Sequence, residues 1–484
     1  MRILIIGSGF AGLCLGIQLK RKGFQDFTIL EKADSLGGTW RDNTYPGAAC
    51  DSPAFQYCFS FEQKTDWSAR WVPQQEILAY QQHCADKYGL APHLRFGCEV
   101  RRADYDEHAC RWRVQLASGG TLEADVLVSA VGQLSRPREP ELPGRELFRG
   151  EIFHTARWNH DFDLAGKRVA VLGNAASAIQ LVPHVALQTE QLHVFQRSPN
   201  WMLPQGNKPY GELAHRLLGA LRPLAWLYRA FIYLSFEARW PLFRGRRDGR
   251  TARKVKQMAL DHIRAHIDDP AMQEALTPDY PLGGKRVLIS DDYYPTLARS
   301  DVELVTAPFE RLTEDAIITR DGTRREVDAV ILATGFETTD FLAPIEIVGT
   351  DGQRLHDSWQ EGARAYLGMT VPAFPNFFVM YGPNTNLGHN SIIFMIECQS
   401  RYILDCLRKM QRGDLKALEV RPEVAEAFDR QVQQELAVTP WADTGGSWYK
   451  NEAGRITNNW SRSTLIYYAR TRRADLDAYA TQKR

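Results

Sequence analysis

Several features of specialised proteins are missing from this chain. Its eight cysteines are scattered, with no C-x-x-C pair and no metal-type cluster, which argues against a disulfide framework or a zinc site and for a reducing compartment. It has no charge surplus, since 59 basic residues face 58 acidic ones, so no global field draws it to nucleic acid. No uninterrupted apolar run reaches the roughly 18 residues of a membrane span. The nearest approach, Leu217 to Phe243, is interrupted by Arg222, Pro223, Arg229, Glu237 and Arg239, and a basic stretch from Arg244 to Lys256 follows it. That pairing fits either a helical insertion packed on the protein body, which is the expectation, or a helix lying on a membrane surface. The N-terminus runs straight into apolar Ile3-Leu4-Ile5-Ile6 without a signal-peptide pattern. A cytoplasmic protein with small-molecule partners is expected.

What is present is a pair of glycine turns. At 484 residues the chain suits two or three domains, because single cores stop growing well below that length. Arg2 to Ile6 reads as a buried strand, Gly7-Ser8-Gly9-Phe10-Ala11-Gly12 as a turn, and Leu13 to Lys22 as a helix closed by Gly23. In such a G-x-G-x-x-G turn Gly7 permits the tight bend, Gly9 lets the backbone approach a pyrophosphate, and Gly12 allows close helix packing. The helix N-terminus supplies amides and partial positive charge. A second strand, Phe27 to Leu30, delivers Glu31, placed to accept both hydroxyls of an unphosphorylated ribose. Strand, turn, helix, strand and acid in that order predict a dinucleotide site, and its place at the start of the chain suits FAD.

The pattern recurs. Lys167 to Gly173 echoes Met1 to Gly7, Asn174 to Gln180 opens another helix, and Leu192 to Gln196 is the next strand. The residue at the position equivalent to Glu31 is Arg197. A guanidinium there favours a 2′-phosphate, so this half should prefer NADPH to NADH. Ala175 replaces the second glycine and could push a pyrophosphate outward; Asn174 and Ser177 offer compensating side-chain hydrogen bonds. The fold class expected is α/β, with two dinucleotide-binding (Rossmann-like) domains, the FAD domain discontinuous and the NADP domain inserted with a helical subdomain.

Between the turns stands Phe148-Arg-Gly-Glu-Ile-Phe-His154-Thr-Ala-Arg-Trp158. It resembles the F-x-G-x-x-x-H-x-x-x-W fingerprint of the type I Baeyer–Villiger monooxygenases. Gly37-Gly38-Thr39-Trp40, followed by Tyr45-Pro46-Gly47 and Asp51, resembles their second signature. The nitrogen- and sulfur-oxidising flavin monooxygenases usually end the first fingerprint in Tyr or Phe rather than Trp158. Gly283-Gly284-Lys285-Arg286 resembles the family loop that carries an active-site arginine after a lysine for the NADPH 2′-phosphate. Ser447-Trp448-Tyr449 resembles the loop whose tryptophan covers the nicotinamide cofactor.

The resemblance implies an FAD enzyme that consumes NADPH and inserts one oxygen atom of O2 beside a ketone carbonyl, through a C4a-peroxyflavin, giving an ester or lactone. An anionic peroxide needs a fixed cation. Arg286 can supply one, since a guanidinium stays protonated and offers several donors, and Asp51 can orient it. Arg286 and Asp51 are therefore the catalytic candidates. The cofactor candidates add Lys32, Gly38, Thr39, Trp40, Asp51, Tyr57, Val100, Gln180, Ser198, Lys285, Asn386 and Trp448 to the two turns, Glu31 and Arg197. His154 and Trp158 are assigned to interdomain movement, and no metal site is expected.

Residues 1–145 are expected to begin the FAD domain. Residues 146–325 should hold NADPH, with a helical insertion at about 205–270, and 326–484 should complete the FAD domain and supply a C-terminal active-site segment. In that scheme the strand and glycine turn from Val327 to Gly335 rejoin the flavin domain, and a long helix runs from Ser391 to Arg412. Three other readings stand beside this one. A disulfide reductase needs a redox cysteine pair that the spacing of Cys50 and Cys58 does not match. An N- or S-oxidising monooxygenase would keep its oxidant protonated, against which Arg286 and Asp51 argue. A non-catalytic NADP-binding flavoprotein draws support only from Ala175.

Overall fold

The computed structural model describes residues 1–243, 249–445 and 448–483. Residues 244–248 of the basic stretch, and Ser447 of the C-terminal loop, lie outside the described residues. Two five-stranded parallel sheets organise the chain. The first has Ile3–Ile6 between Val126–Ser129 and Phe27–Leu30, with Phe377–Val379 and Leu94–Arg95 at its edges. Ile3 pairs with Phe27 and with Val126. All four residues of Ile3–Ile6 are buried, as expected for a parallel strand covered on both faces. The helix Phe10–Arg21 packs against the sheet and against the long helix Ile392–Arg412, which Ser391 caps by accepting from the Ile393 amide.

The second sheet has the order Val302–Val305, Gln191–Phe195, Arg168–Leu172, Ala329–Leu332, Glu151–His154. This corrects the sequence reading at one strand. The strand Ala329–Leu332 does not rejoin the first sheet; it lies between Arg168–Leu172 and Glu151–His154, with Leu332 paired to both Leu172 and His154. Return to the first unit comes later, with Glu346–Val348 beside Val100–Asp106 and then Phe377–Val379 beside Val126–Ser129. The segment from Phe148 to Trp158 supplies the other edge of this sheet, Glu151–His154, within the 146–325 unit expected from the sequence. An apolar strand followed by glycine is legible in sequence, but its neighbour is chosen by long-range pairing.

The helical insertion comprises Glu212–Ala220, Arg222–Glu237, Arg250–Arg264 and Pro270–Leu276. Although it leaves the chain between strands of the second sheet, Leu218, Ala225, Ile232 and Phe236 are buried in the hydrophobic core of the first unit. Polar ties reinforce that packing. Tyr233 Oη lies 2.6 Å from Thr464 Oγ1, and Arg229 donates to the Phe55 carbonyl at 2.6 Å. No helix among the described residues is long and apolar enough to cross a membrane.

Candidate active site

A cavity of about 1450 Å³ runs between the C-terminal ends of the two sheets, where α/β sheets bind ligands. Every candidate residue except Gly12, His154 and Trp158 lines it. Gly12 works behind the turn: a Cβ there would stand 2.0 Å from the Gly7 carbonyl oxygen, so only glycine lets the helix approach.

Two features fit the cavity to two dinucleotides. Neither Phe10–Arg21 nor Ala176–Val185 has a side-chain N-cap or an acidic residue in its first turn, so the amides and positive end of each helix remain open to an anion. Space above the first turn is also clear, since a Cβ on Gly9 would meet nothing closer than the Gly38 Cα at 3.9 Å. Glu31 stands beside it, buried and tightly held. Its carboxylate accepts from the Ser8 amide at 3.0 Å, the Ser8 hydroxyl at 2.8 Å and the Ala33 amide at 3.1 Å, with Arg41 at 3.1 Å. Burial pushes its pKa up, but these bonds and Arg41 outweigh it and hold the carboxyl below its ordinary value. Sequence reasoning missed Arg41, although it directly follows the G-G-x-W signature.

The second turn differs from expectation. Ala175 is exposed toward the cavity with φ −86° and ψ −163°, close to the −76° and −169° of Gly9. The backbone therefore tolerates the replacement. Asn174 does not offer its amide to the cavity: its Nδ2 donates to Gln196 Oε1 at 2.9 Å and to the Ser198 carbonyl at 2.8 Å. Compensation by Asn174 is thus not what the structure shows; the side chain braces the segment that carries Arg197. Gln180 is likewise occupied. It accepts from Tyr45 Oη at 2.9 Å and the Ala49 amide at 3.3 Å, and donates to the Ala49 carbonyl at 3.0 Å. The Tyr45-Pro46-Gly47 signature is thereby pinned to the second nucleotide helix. A Cβ on Gly47 would stand 2.3 Å from the Gln180 carbonyl oxygen. Ser177 lies against the Tyr45 hydroxyl.

Two cations meet beyond this turn. Lys285 Nζ donates to Ser198 Oγ at 2.8 Å and lies 4.6 Å from the centre of the Tyr280 ring. Burial and the neighbouring exposed Arg197 push the Lys285 pKa down. Like charges held together in this way suit a multiply charged anion.

Next to Lys285, Arg286 reaches across to Asp51 of the first unit. Its Nε and Nη2 meet Asp51 Oδ2 and Oδ1, both at 2.6 Å, in a bidentate fork. The two side chains remain 33% and 28% exposed, so the pair opens onto the cavity. Asp51 raises the Arg286 pKa further, against the opposing effect of burial. Tyr381 and Tyr449 lie within the field of this pair, and burial pushes Tyr449 up to about 12 despite Arg286. Tyr381 donates to Asn386 Oδ1 at 2.8 Å, and Asn386 donates to Asn459 Oδ1 at 2.7 Å. Nothing in the sequence pointed to Tyr381. Trp40 donates to Tyr57 Oη at 3.3 Å, and the Phe10 ring meets Tyr57 edge-on at 5.2 Å. Trp448 is anchored by its carbonyl, which accepts from Thr338 Oγ1 and Asn458 Nδ2 at 2.9 and 2.8 Å.

His154 and Trp158 stand outside the cavity. The buried His154 ring accepts from the Ala156 amide at 3.0 Å, and burial lowers its pKa. It faces Phe336 at 5.9 Å, and Phe336 lines the cavity. Trp158 packs edge-on against Phe153 at 5.0 Å.

A family model described as "Pyridine nucleotide-disulphide oxidoreductase" matches residues 4–214. All eight cysteines here are free, and burial raises the pKa of Cys50 and Cys58, the reverse of what a thiolate nucleophile needs. A Baeyer-Villiger monooxygenase of Streptomyces coelicolor is 42% identical over 99% of this chain and 92% of its own. Among solved structures, an oxidized steroid monooxygenase bound to NADP is 30% identical with a TM-score of 0.88, covering 100% of this chain and 99% of that one. A complex of OTEMO with FAD and NADP is 27% identical with a TM-score of 0.89, covering 99% of each chain.

Proposed function

We infer, from a chain that belongs to the Baeyer–Villiger monooxygenases, an enzyme that uses FAD and NADPH to insert one atom of O2 beside a ketone carbonyl, giving an ester or lactone. The observation that carries this reading is the Asp51–Arg286 fork, which places a fixed cation at the cavity between the two nucleotide turns. FAD when bound, reduced by NADPH, supplies the activation of dioxygen.

The chain's own residues hold and orient the rest. The first turn, the open end of Phe10–Arg21 and Glu31 are assigned to FAD. The second turn, Arg197, Ser198 and Lys285 are assigned to NADPH, with the two cations on its 2′-phosphate. Arg286 offers N–H donors to negative charge developing on the carbonyl oxygen of the substrate and keeps a neighbouring oxygen anion deprotonated. Asp51 fixes the plane of the guanidinium, so little reorganisation is needed during reaction. Tyr449, pushed up to about 12, stays a neutral donor at working pH. Trp448 is assigned to shielding the nicotinamide side of the cavity from water. His154 and Trp158 are assigned to movement between the units, which fits their place at the C-terminal end of the second sheet's edge strand, where His154 packs behind Phe336 of the cavity wall.

The test is turnover with NADPH, labelled dioxygen and a panel of linear, cyclic and aromatic ketones plus a thioether. Ester carrying one labelled oxygen is the expected product. Sulfoxide without any ester, or hydrogen peroxide alone, refutes the assignment.

A further inference from the structure

The helical insertion leaves one face that no part of the described chain covers. On Arg222–Glu237 the side chains of Ala225, Ile232 and Phe236 are buried, whereas Leu224, Leu227, Phe231 and Leu234 recur at helical spacing on the other side. Leu227 is 66% and Phe231 68% exposed. Leu213 and Leu217 extend the row along the preceding helix, both exposed. A contiguous exposed apolar face of this kind marks an interaction surface.

Charge identifies the partner. From Lys208 to Lys256 the sequence carries twelve basic and three acidic residues, a surplus of nine on a chain whose net charge is +1. Arg216 and Arg222 flank the apolar row, and Arg250, Arg253 and Lys254 expose their charges on the next helix. A second copy docking by a two-fold axis would bring this surplus against itself. An anionic bilayer satisfies both components, since the apolar side chains sink to the boundary of headgroups and acyl chains while the arginines meet lipid phosphates. We propose that Glu212–Ala220 and Arg222–Glu237, with the basic face of Arg250–Arg264, seat the enzyme on the surface of an anionic membrane without crossing it. The inner side of the same helix covers the loop after Asp51, through Arg229 on the Phe55 carbonyl and the Tyr228 ring 5.1 Å from that of Phe55. Seating therefore places this side of the enzyme next to a reservoir of lipophilic substrate.

The experiment is sedimentation of the FAD-loaded enzyme with extruded phosphatidylcholine vesicles, with and without phosphatidylglycerol. Binding is expected only with phosphatidylglycerol and is expected to fall at high salt. The double variant Leu227→Glu/Phe231→Glu should lose binding by at least about tenfold, while flavin absorbance and NADPH oxidation stay unchanged, which shows that it is folded. Arg250→Glu/Arg253→Glu should weaken binding by roughly 25-fold, about fivefold per residue. Failure of the wild type to sediment with phosphatidylglycerol vesicles overturns the proposal in favour of an acidic protein partner. Equal binding by the Leu227/Phe231 variant overturns it as well. So does a solution dimer that this variant dissociates, because a second copy then covers the face.

Discussion

Replacing Arg286 by alanine separates two contributions that the Asp51–Arg286 fork makes. As a stabilising ion pair it is modest, because both side chains are about one third exposed and water screens them; its loss costs folding about 1 kcal/mol or less. As a donor to developing negative charge it is large. Losing one oxyanion donor costs about 2.7–4 kcal/mol, or roughly 100- to 1000-fold in rate, and here a fork of two bonds at 2.6 Å has fixed the donor's orientation in advance. Arg286→Ala is therefore expected to unfold within a few degrees of the wild type, bind FAD and oxidise NADPH. Its ester formation should fall at least about 100-fold, with the consumed NADPH appearing as hydrogen peroxide. Arg286→Lys keeps the charge but not the planar fork and should lie between the two. The assay follows NADPH at constant ketone, ester by gas chromatography and peroxide in parallel. Ester formation by Arg286→Ala within threefold of the wild type would refute the reasoning.

Arg197→Ala and Lys285→Ala should each raise KM for NADPH by roughly 10- to 100-fold, as charge-assisted hydrogen bonds are worth about 1.5–3 kcal/mol; NADH kinetics should hardly change, and an equal loss with NADH would refute the assignment. Ala175→Gly should lower KM for NADPH severalfold with kcat unchanged, because the methyl group is exposed at the cavity and the backbone is already glycine-like; unchanged KM would clear the methyl group of any obstruction. Burial pushes the Glu237 carboxyl up, but hydrogen bonds from His389, Thr464 and Asn390 outweigh it and hold the pKa at about 2, below its ordinary 4.5. A carboxyl depressed in the folded state stabilises above its unfolded pKa and loses that effect as pH falls toward 2, here about 3 kcal/mol. In urea unfolding, Glu237→Gln should thus be less stable than the wild type near pH 7, with the gap closing below about pH 3; a gap independent of pH would contradict this.

Much of the site was legible because its parts are local. The strand at Ile3–Ile6, the turn from Gly7 to Gly12 and the acid at Glu31 lie within about one βαβ unit, and their spacing is set by how far a strand, turn and helix reach. The charge of Arg197 could be read the same way. The Asp51–Arg286 fork could not, because 235 residues separate its partners and only family resemblance placed both near the flavin. Gln180 and Asn174 were read as facing a cofactor. Polar side chains in a cleft also bind their own loops, and the fold turned both inward to Ala49 and to the 196–198 segment.

By itself the sequence determined the two glycine turns, the choice of ribose acid in one and guanidinium in the other, the two fingerprints, and a segment rich in both apolar and basic side chains. These follow from short-range geometry and from the chemistry of single residues. Tertiary structure decided that Ala329–Leu332 belongs to the second sheet, that Tyr45 is pinned to Gln180 across the cleft, and that Arg286 lies flat against Asp51. It also decided which side of Arg222–Glu237 is buried and which is left for a partner. Such outcomes depend on strand pairing and packing between distant segments, where periodicity offers several equivalent choices and only contact energy selects among them.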